Sequence, residues 1–473
     1  MESAFHQLSG QVFTEFARGG GGVVGIRSLL AGQYSKNLLL LRAMVELSAD
    51  LGHPDAGLVA QAYTTIAQTR RNSPNAARMV LNYPSVSAWA MNTTTRLTNG
   101  DLAGARPERM SAIAVATALR ARMPATVVLP AATWSAKALV LPSLGRVLLP
   151  RPSGARMRLR TGGDGVTLFI PGDSEAAGRP GPASRGEVAS RGEADVDGGE
   201  LRLAVPDGTA TPYWRPVPGL TTVHRGLRLA VRFDDLGTFS GIGATETALL
   251  DQRELEIWRR RVTAGWRLLV DRHRSFATEL SAAISMIVPL RDPERGQVSG
   301  TYRNAVGCIA MSRPIDDRSA AVTLVHELQH TKLSALMNLF PLLAPGPDDR
   351  FHAPWRTDRR PLHGLLQGLY AHLGIAGFWR RQAWHENDRA HVLRAQVEFA
   401  RWREACREVA DLLQATGRLT QIGRRLVTVA QETLARWQGE YVPTRAVAIA
   451  RRLAEQHRDR YERPGPRQEP AGR

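Results

Sequence analysis

The chain has 473 residues, 43% of them hydrophobic, and a formal net charge of +18. That is enough length and apolar content for two to four domains with real cores, which excludes a wholly disordered polypeptide. The excess positive charge suits an acidic partner, but it is carried by scattered Arg, with Lys only at 36, 137 and 332, rather than by a basic run with interleaved aromatics. That pattern points away from nucleic acid and leaves an acidic peptide as the favoured partner.

The first ten residues lack a basic and then apolar leader, and no apolar run approaches the roughly 20 residues that span a bilayer, so a cytoplasmic protein without a membrane partner is expected. Residues 24–121 place apolar side chains at helical spacing, through Leu29-Leu30, Leu38–Leu41, Met44 and Leu58-Val59, interrupted by turns at Asn72-Ser73-Pro74 and Asn99-Gly100-Asp101. This predicts a helical N-terminal region, 1–121. From 122 to 240 short runs rich in Val and Leu predict strands, among them Thr126–Leu129, Ala138–Leu141, Arg146–Leu149, Val166–Ile170, Leu201–Val205 and Leu227–Arg232. Residues 172–199, nearly devoid of large apolar groups, are expected to form a flexible insertion.

Helical spacing returns from about Ala244. A strand is expected over Arg303–Met311, then an N-cap at Asp316 or Asp317 and a largely buried helix with Ala320, Ala321, Leu324, Val325, Leu328, Leu333, Leu336 and Met337 on its apolar surface. These features bound a third region, 241–345. A last helical region, 346–461, precedes a tail, 462–473, expected to be disordered. The predicted fold class is α+β and mostly helical, with helical terminal regions and a zincin-like metal helix beside a small sheet. Cys308 and Cys406 form no Cys-x-x-Cys pair and are expected as structural thiols.

The helix of the third region carries His326-Glu327-Leu328-Gln329-His330. Histidines four apart lie one turn apart on one helix face, so both rings can converge on one ion. Glu327 sits about 100° round the helix, where a carboxylate can take a proton from metal-bound water. The longer metzincin pattern is missing, because Leu333 stands where Gly is needed and Leu336 where the third His is needed. The third ligand must come from elsewhere.

His372 is the first candidate. A helix opened by Pro361 puts Gly364, Gly368 and His372 on one line, and two glycines inside a helix suggest another backbone passing close by, with the metal helix as the expected neighbour. Glu386 and Glu398 compete for the same role, Glu386 within a polar patch that reads as solvated surface. His363, His385 and His391 stand further back.

Several segments together resemble a known group, the actinobacterial HExxH-motif peptide-modification proteins of ribosomal-peptide biosynthesis, whose domain is also fused to radical-SAM maturases. The resemblance rests on Gln33-Tyr34-Ser35-Lys36-Asn37 with Leu38–Arg42, on Val325–Leu333, on Phe351-His352-Ala353-Pro354-Trp355-Arg356, and on Gly368–Leu373 and Phe399–Trp402. His352 and Arg359 depart from the Tyr and Pro usual in that Pro-Trp-Arg segment. The resemblance implies modification of a ribosomally made precursor peptide by an iron(II), 2-oxoglutarate-dependent hydroxylase. Such an enzyme needs three protein ligands, here His326, His330 and His372, and a cation for the distal carboxylate of 2-oxoglutarate. Arg356 and Arg360 are the candidates for that cation, with Arg303 and Arg313 behind them. The alternatives to that hydroxylase are a zinc peptidase or amidase using Glu327 as base, and a non-catalytic peptide-binding partner.

Overall fold

The computed structural model describes residues 6–130, 133, 138–148, 157–162, 165–169, 195–197, 200–204, 210–234, 250–294 and 296–462. Its architecture is α+β and mostly helical, as the periodicity predicts. Helices fill the N-terminal region at Gly10–Ala17, Gly22–Asp50, Ala56–Asn72, Pro74–Leu81, Pro84–Thr98 and Met110–Arg120. Proline at the first helical position opens two of these, where its missing N–H and fixed φ cost nothing.

The sheet that positions the site has the order Ser299–Gly300, Cys308–Ser312, Met286–Leu290, Leu227–Phe233, Gly219–His224. Met286–Leu290 pairs in parallel with both neighbours, and the outer strands pair antiparallel. Its run Met-Ile-Val-Pro-Leu is apolar without alternation, as a strand covered on both faces should be. Period-two packing then splits the sheet. Met286 and Cys308 face a core shared with the N-terminal helices, whereas Ile287, Ile309 and Met311 face a second core containing the metal-motif helix.

That second core also holds helices Gln252–Arg272, Leu362–Gln382, Arg389–Ala415 and Gln421–Gln438. The strand expected over Arg303–Met311 begins only at Cys308. Before it, Gly307 has φ +92°, a left-handed conformation natural to glycine. Of the expected insertion, Asp195–Asp197 forms a strand paired with Glu200–Ala204, and the remainder lies outside the described residues. The helix Thr444–Glu462 reaches the start of the expected tail, and residues 463–473 likewise lie outside. Both cysteines are free and buried. No helix among the described residues is long and apolar enough to cross a membrane.

Candidate metal centre

The motif helix runs Asp317–Leu339. Its N-cap is Asp316, whose carboxylate accepts from Ser319 N–H at 2.7 Å while the Ser319 hydroxyl accepts from Asp316 N–H at 3.0 Å. The helix is buried nearly all round, so each polar side chain in it needs a specific partner. Gln329 donates to Gly19 O at 2.9 Å. Lys332 donates to Gly19 O, Gly20 O and Glu279, the last at 2.7 Å. Glu327 accepts from the Ser299 hydroxyl at 2.7 Å and from the Thr301 hydroxyl, both supplied by the edge strand and the turn after it.

The two motif histidines are placed differently. Their Nε2 atoms face one another at 3.1 Å. The Gln367 amide donates through its nitrogen to Ser334 Oγ at 3.2 Å, which presents its oxygen to His330 Nδ1 at 2.9 Å. His330 Nδ1 therefore carries the proton and its Nε2 a lone pair. His326 Nδ1 is buried with no hydrogen-bond partner. Two ligand nitrogens bound at about 2.1 Å to one ion stand roughly 3.0 Å apart at octahedral and 3.4 Å at tetrahedral angles, so the observed gap matches a shared ion. Burial, then the neighbouring His330, pushes His326 down to about 4, which keeps the ring neutral. Its side chain is still 21% exposed, so the pair can be reached from outside.

His372 comes from helix Leu362–Gln382. Its ring centre lies 5.3 Å from that of His326, stacked on Trp355 at 4.4 Å and against Trp402 at 4.6 Å. Its Nδ1 donates to Gly368 O at 2.8 Å, which leaves Nε2 as the lone-pair nitrogen. Burial, then His326, holds its pKa well below the usual histidine range. The glycine line has a different cause from the one expected. A Cβ at Gly368 would overlap the Trp355 indole, and one at Gly364 would meet Arg360, so side chains and not the motif-helix backbone fill that space. The motif helix makes its close approach at Gly374, where Gln329 packs.

The centre is thus a facing pair with a third imidazole beside it. Among the described residues, no group of three or more His, Cys, Asp or Glu side chains closes into a ready ion cage. No family model and no curated protein matches this chain.

The other candidates are dispersed. Glu386 is not solvated surface: Arg318 grips it at 2.7 and 2.8 Å, its side chain is 3% exposed, and that hydrogen-bonded guanidinium holds its carboxyl down at about 2. Arg318 lies two turns before His326, about 12 Å along the axis, so Glu386 anchors the start of the helix. Glu398 is half-buried, with no hydrogen bond or ion pair among the described residues. His363 is exposed, and His391 pairs with Asp388 at 3.4 Å. Burial, then Arg381, lowers the pKa of His385.

Arg356 and Arg360 share one carboxylate, Asp358, at 2.9 and 3.0 Å on an exposed turn. Arg313 holds Asp292 at 2.7 Å. Arg303 is exposed and makes no ion pair among the described residues. Sequence reading missed Trp355, Trp402, Gln367, Ser299 and Thr301. Only Trp355 left a signal, in the glycine it requires at 368.

Proposed function

We propose that this chain is a metal-dependent enzyme that modifies a ribosomally made precursor peptide, as an iron(II), 2-oxoglutarate-dependent side-chain hydroxylase of the HExxH-motif peptide-modification group. The facing Nε2 atoms of His326 and His330 carry the reading. His330 Nε2 offers its lone pair to His326 Nε2 at 3.1 Å, a gap closed by the N–H of one His326 tautomer and, in the other, by a cation between the rings; the unpartnered Nδ1 of His326 leaves both tautomers open. The donor set suits iron(II) as well as zinc.

His326, His330 and His372 would hold the ion. Iron(II), when bound, would supply the chemistry by which dioxygen, reduced at the expense of 2-oxoglutarate going to succinate and carbon dioxide, delivers one of its oxygen atoms into a C–H bond. The remaining work belongs to this chain's own side chains. Gln367 and Gly368 O fix the tautomers of His330 and His372. Trp355 and Trp402 exclude water from the His372 side. Of the four arginines, Arg303 alone makes no ion pair among the described residues, and it follows by two residues the Thr301 that touches Glu327, so we assign it ahead of Arg356 and Arg360 as the cation for 2-oxoglutarate.

The motif helix beneath an antiparallel edge strand supports a zincin-like arrangement. In the zinc-peptidase reading Glu327 is the base, and its Oε1 does stand 3.9 Å from His326 Nε2. That carboxylate is wholly buried and already accepts hydrogen bonds from two hydroxyls, which favours a positioning role and hence hydroxylation. The same reading places the protein in the cytoplasm with its peptide.

Iron(II)-loaded protein incubated with the precursor peptide, with and without 2-oxoglutarate, should yield a product heavier by one oxygen only when 2-oxoglutarate is present. Two fragments summing to peptide plus water would establish the peptidase instead, and an unchanged peptide the binding partner. His326→Ala should abolish iron retention on dialysis; full retention would remove the pair from the centre.

A further inference from the structure

Behind the tryptophans that stack on His372 lies a separate cleft of about 310 Å³. It runs between helices Arg389–Ala415 and Thr444–Glu462, with His352 and Pro354 at one end. Neither Trp355, Trp402 nor any of the three centre histidines lines it. The lining includes Pro354, Arg401 and Arg403, the chain neighbours of the two indoles, so the cleft lies next to the centre without being part of it.

Small side chains, Ala400, Ala405, Val447 and Ala450, leave the space open between the helices. The charges around it are unbalanced. Its two carboxylates are both satisfied, Glu404 by Arg407 at 2.6 Å and by Gln438, and Glu408 by Arg458 at 3.5 Å. Arg401 and Arg451 have no carboxylate partner among the described residues. Arg401 lies with its guanidinium 4.3 Å over the Trp402 ring, which orients the fork without neutralising it. His457 adds a buried Nε2 that has no hydrogen-bond partner.

We propose that this cleft is a docking site for an acidic segment of the peptide substrate, distinct from the place where the peptide is modified. Carboxylate side chains pair with Arg401 and Arg451, and the alanine-lined walls take the adjoining backbone. A small co-substrate that must chelate an ion would sit at the histidines, none of which lines the cleft, whereas a peptide is long enough to occupy cleft and centre together. Both arms of that division meet at Trp402, which touches His372 on one side and Arg401 on the other. The inference rests on reading the chain as a peptide-modifying protein, yet its test needs no metal.

The probe is a fluorescein-labelled peptide of alternating Glu and Ala, titrated with the full-length protein by anisotropy beside an alternating Lys and Ala control. Saturable binding of the acidic peptide alone is expected. Arg401→Glu with Arg451→Glu, and separately Ala454→Trp, which fills the mouth of the cleft, should each weaken it about ten-fold or more with unchanged melting temperature. Arg71→Glu, an exposed charge on the Ala56–Asn72 helix, should leave it within about two-fold. Absence of saturable binding, or weakening by only one of the two cleft variants, overturns the site. His326→Ala should bind the probe like the parent, so a failed hydroxylation assay with intact cleft binding would fault the reaction and not the docking site.

Discussion

Two polar clusters share the motif helix, and they are built on opposite terms. On one side Lys332 and Gln329 meet Glu279 and the carbonyls of Gly19 and Gly20; the Lys332 side chain is 1% exposed and has three oxygen partners. Glu279 spends its second oxygen on Gly22 N–H at 2.9 Å. On the other side the Nε2 atoms of His326 and His330 face each other at 3.1 Å, and His326 Nδ1 has no partner. The buried Lys332–Glu279 ion pair is fully partnered and holds the fold together, although Gln329 Oε1 beside it has no hydrogen-bond partner; what sets the other side apart is two ring nitrogens facing one another, and not the unpartnered atom alone. The helix therefore separates into a structural face and a chemical face.

The largest way to break that division is Glu279→Ala. It leaves the Lys332 ammonium buried without its counter-charge and should lower stability by about 3–5 kcal/mol in chemical denaturation. Lys332→Met with Glu279→Leu should recover most of that loss; no recovery would mean the pair does more than hold structure. Next comes Gly368→Ala, whose methyl collides with Trp355 and should lower stability by about 1–3 kcal/mol. It should also disturb iron retention, because the displaced indole lies on His372; unaffected retention would detach Trp355 from the centre. Gln367→Leu leaves the His330 Nδ1 proton without its acceptor and should reduce metal affinity about 10- to 100-fold, with little effect on melting.

The smallest effect is at Glu386. Its folded pKa of about 2 lies below the unfolded value, so the ion pair with Arg318 stabilises above the ordinary carboxylate range. That contribution should fade as the pH falls from about 4.5 toward 2. Glu386→Gln should flatten the stability profile in that window alone. A variant that also lost iron at neutral pH would return Glu386 to the list of ligands.

What was legible in the sequence is what local spacing encodes. The i, i+4 histidines, the Asp316 cap and the Pro361-led helix all follow from contacts within a turn or two. Legibility stops where a partner comes from far along the chain. Glu386 read as surface because Arg318, 68 residues earlier, is invisible to local pattern. Arg356 and Arg360 read as free cations because nothing in the spacing says that Asp358 is folded between them. The clamp on Glu327 from Ser299 and Thr301 depends on sheet order, which periodicity does not specify. The glycine at 368 announced a close neighbour but not which one.

The fastening of Lys332 and Gln329 to Gly19 has a further meaning in time. Those bonds close loops of 313 and 310 residues, and Tyr370 adds one of 354 to Phe16 O. Such distant closures are slow, because loop entropy is lost before the contact rewards it. As the chain leaves the ribosome, the end of the Gly10–Ala17 helix and the Gly19-Gly20 link after it wait for the motif helix and its Tyr370-bearing neighbour before their carbonyls find donors. The histidine pair thus sits on a helix whose Gln329 and Lys332 reach those carbonyls only after 310 and 313 further residues have been made.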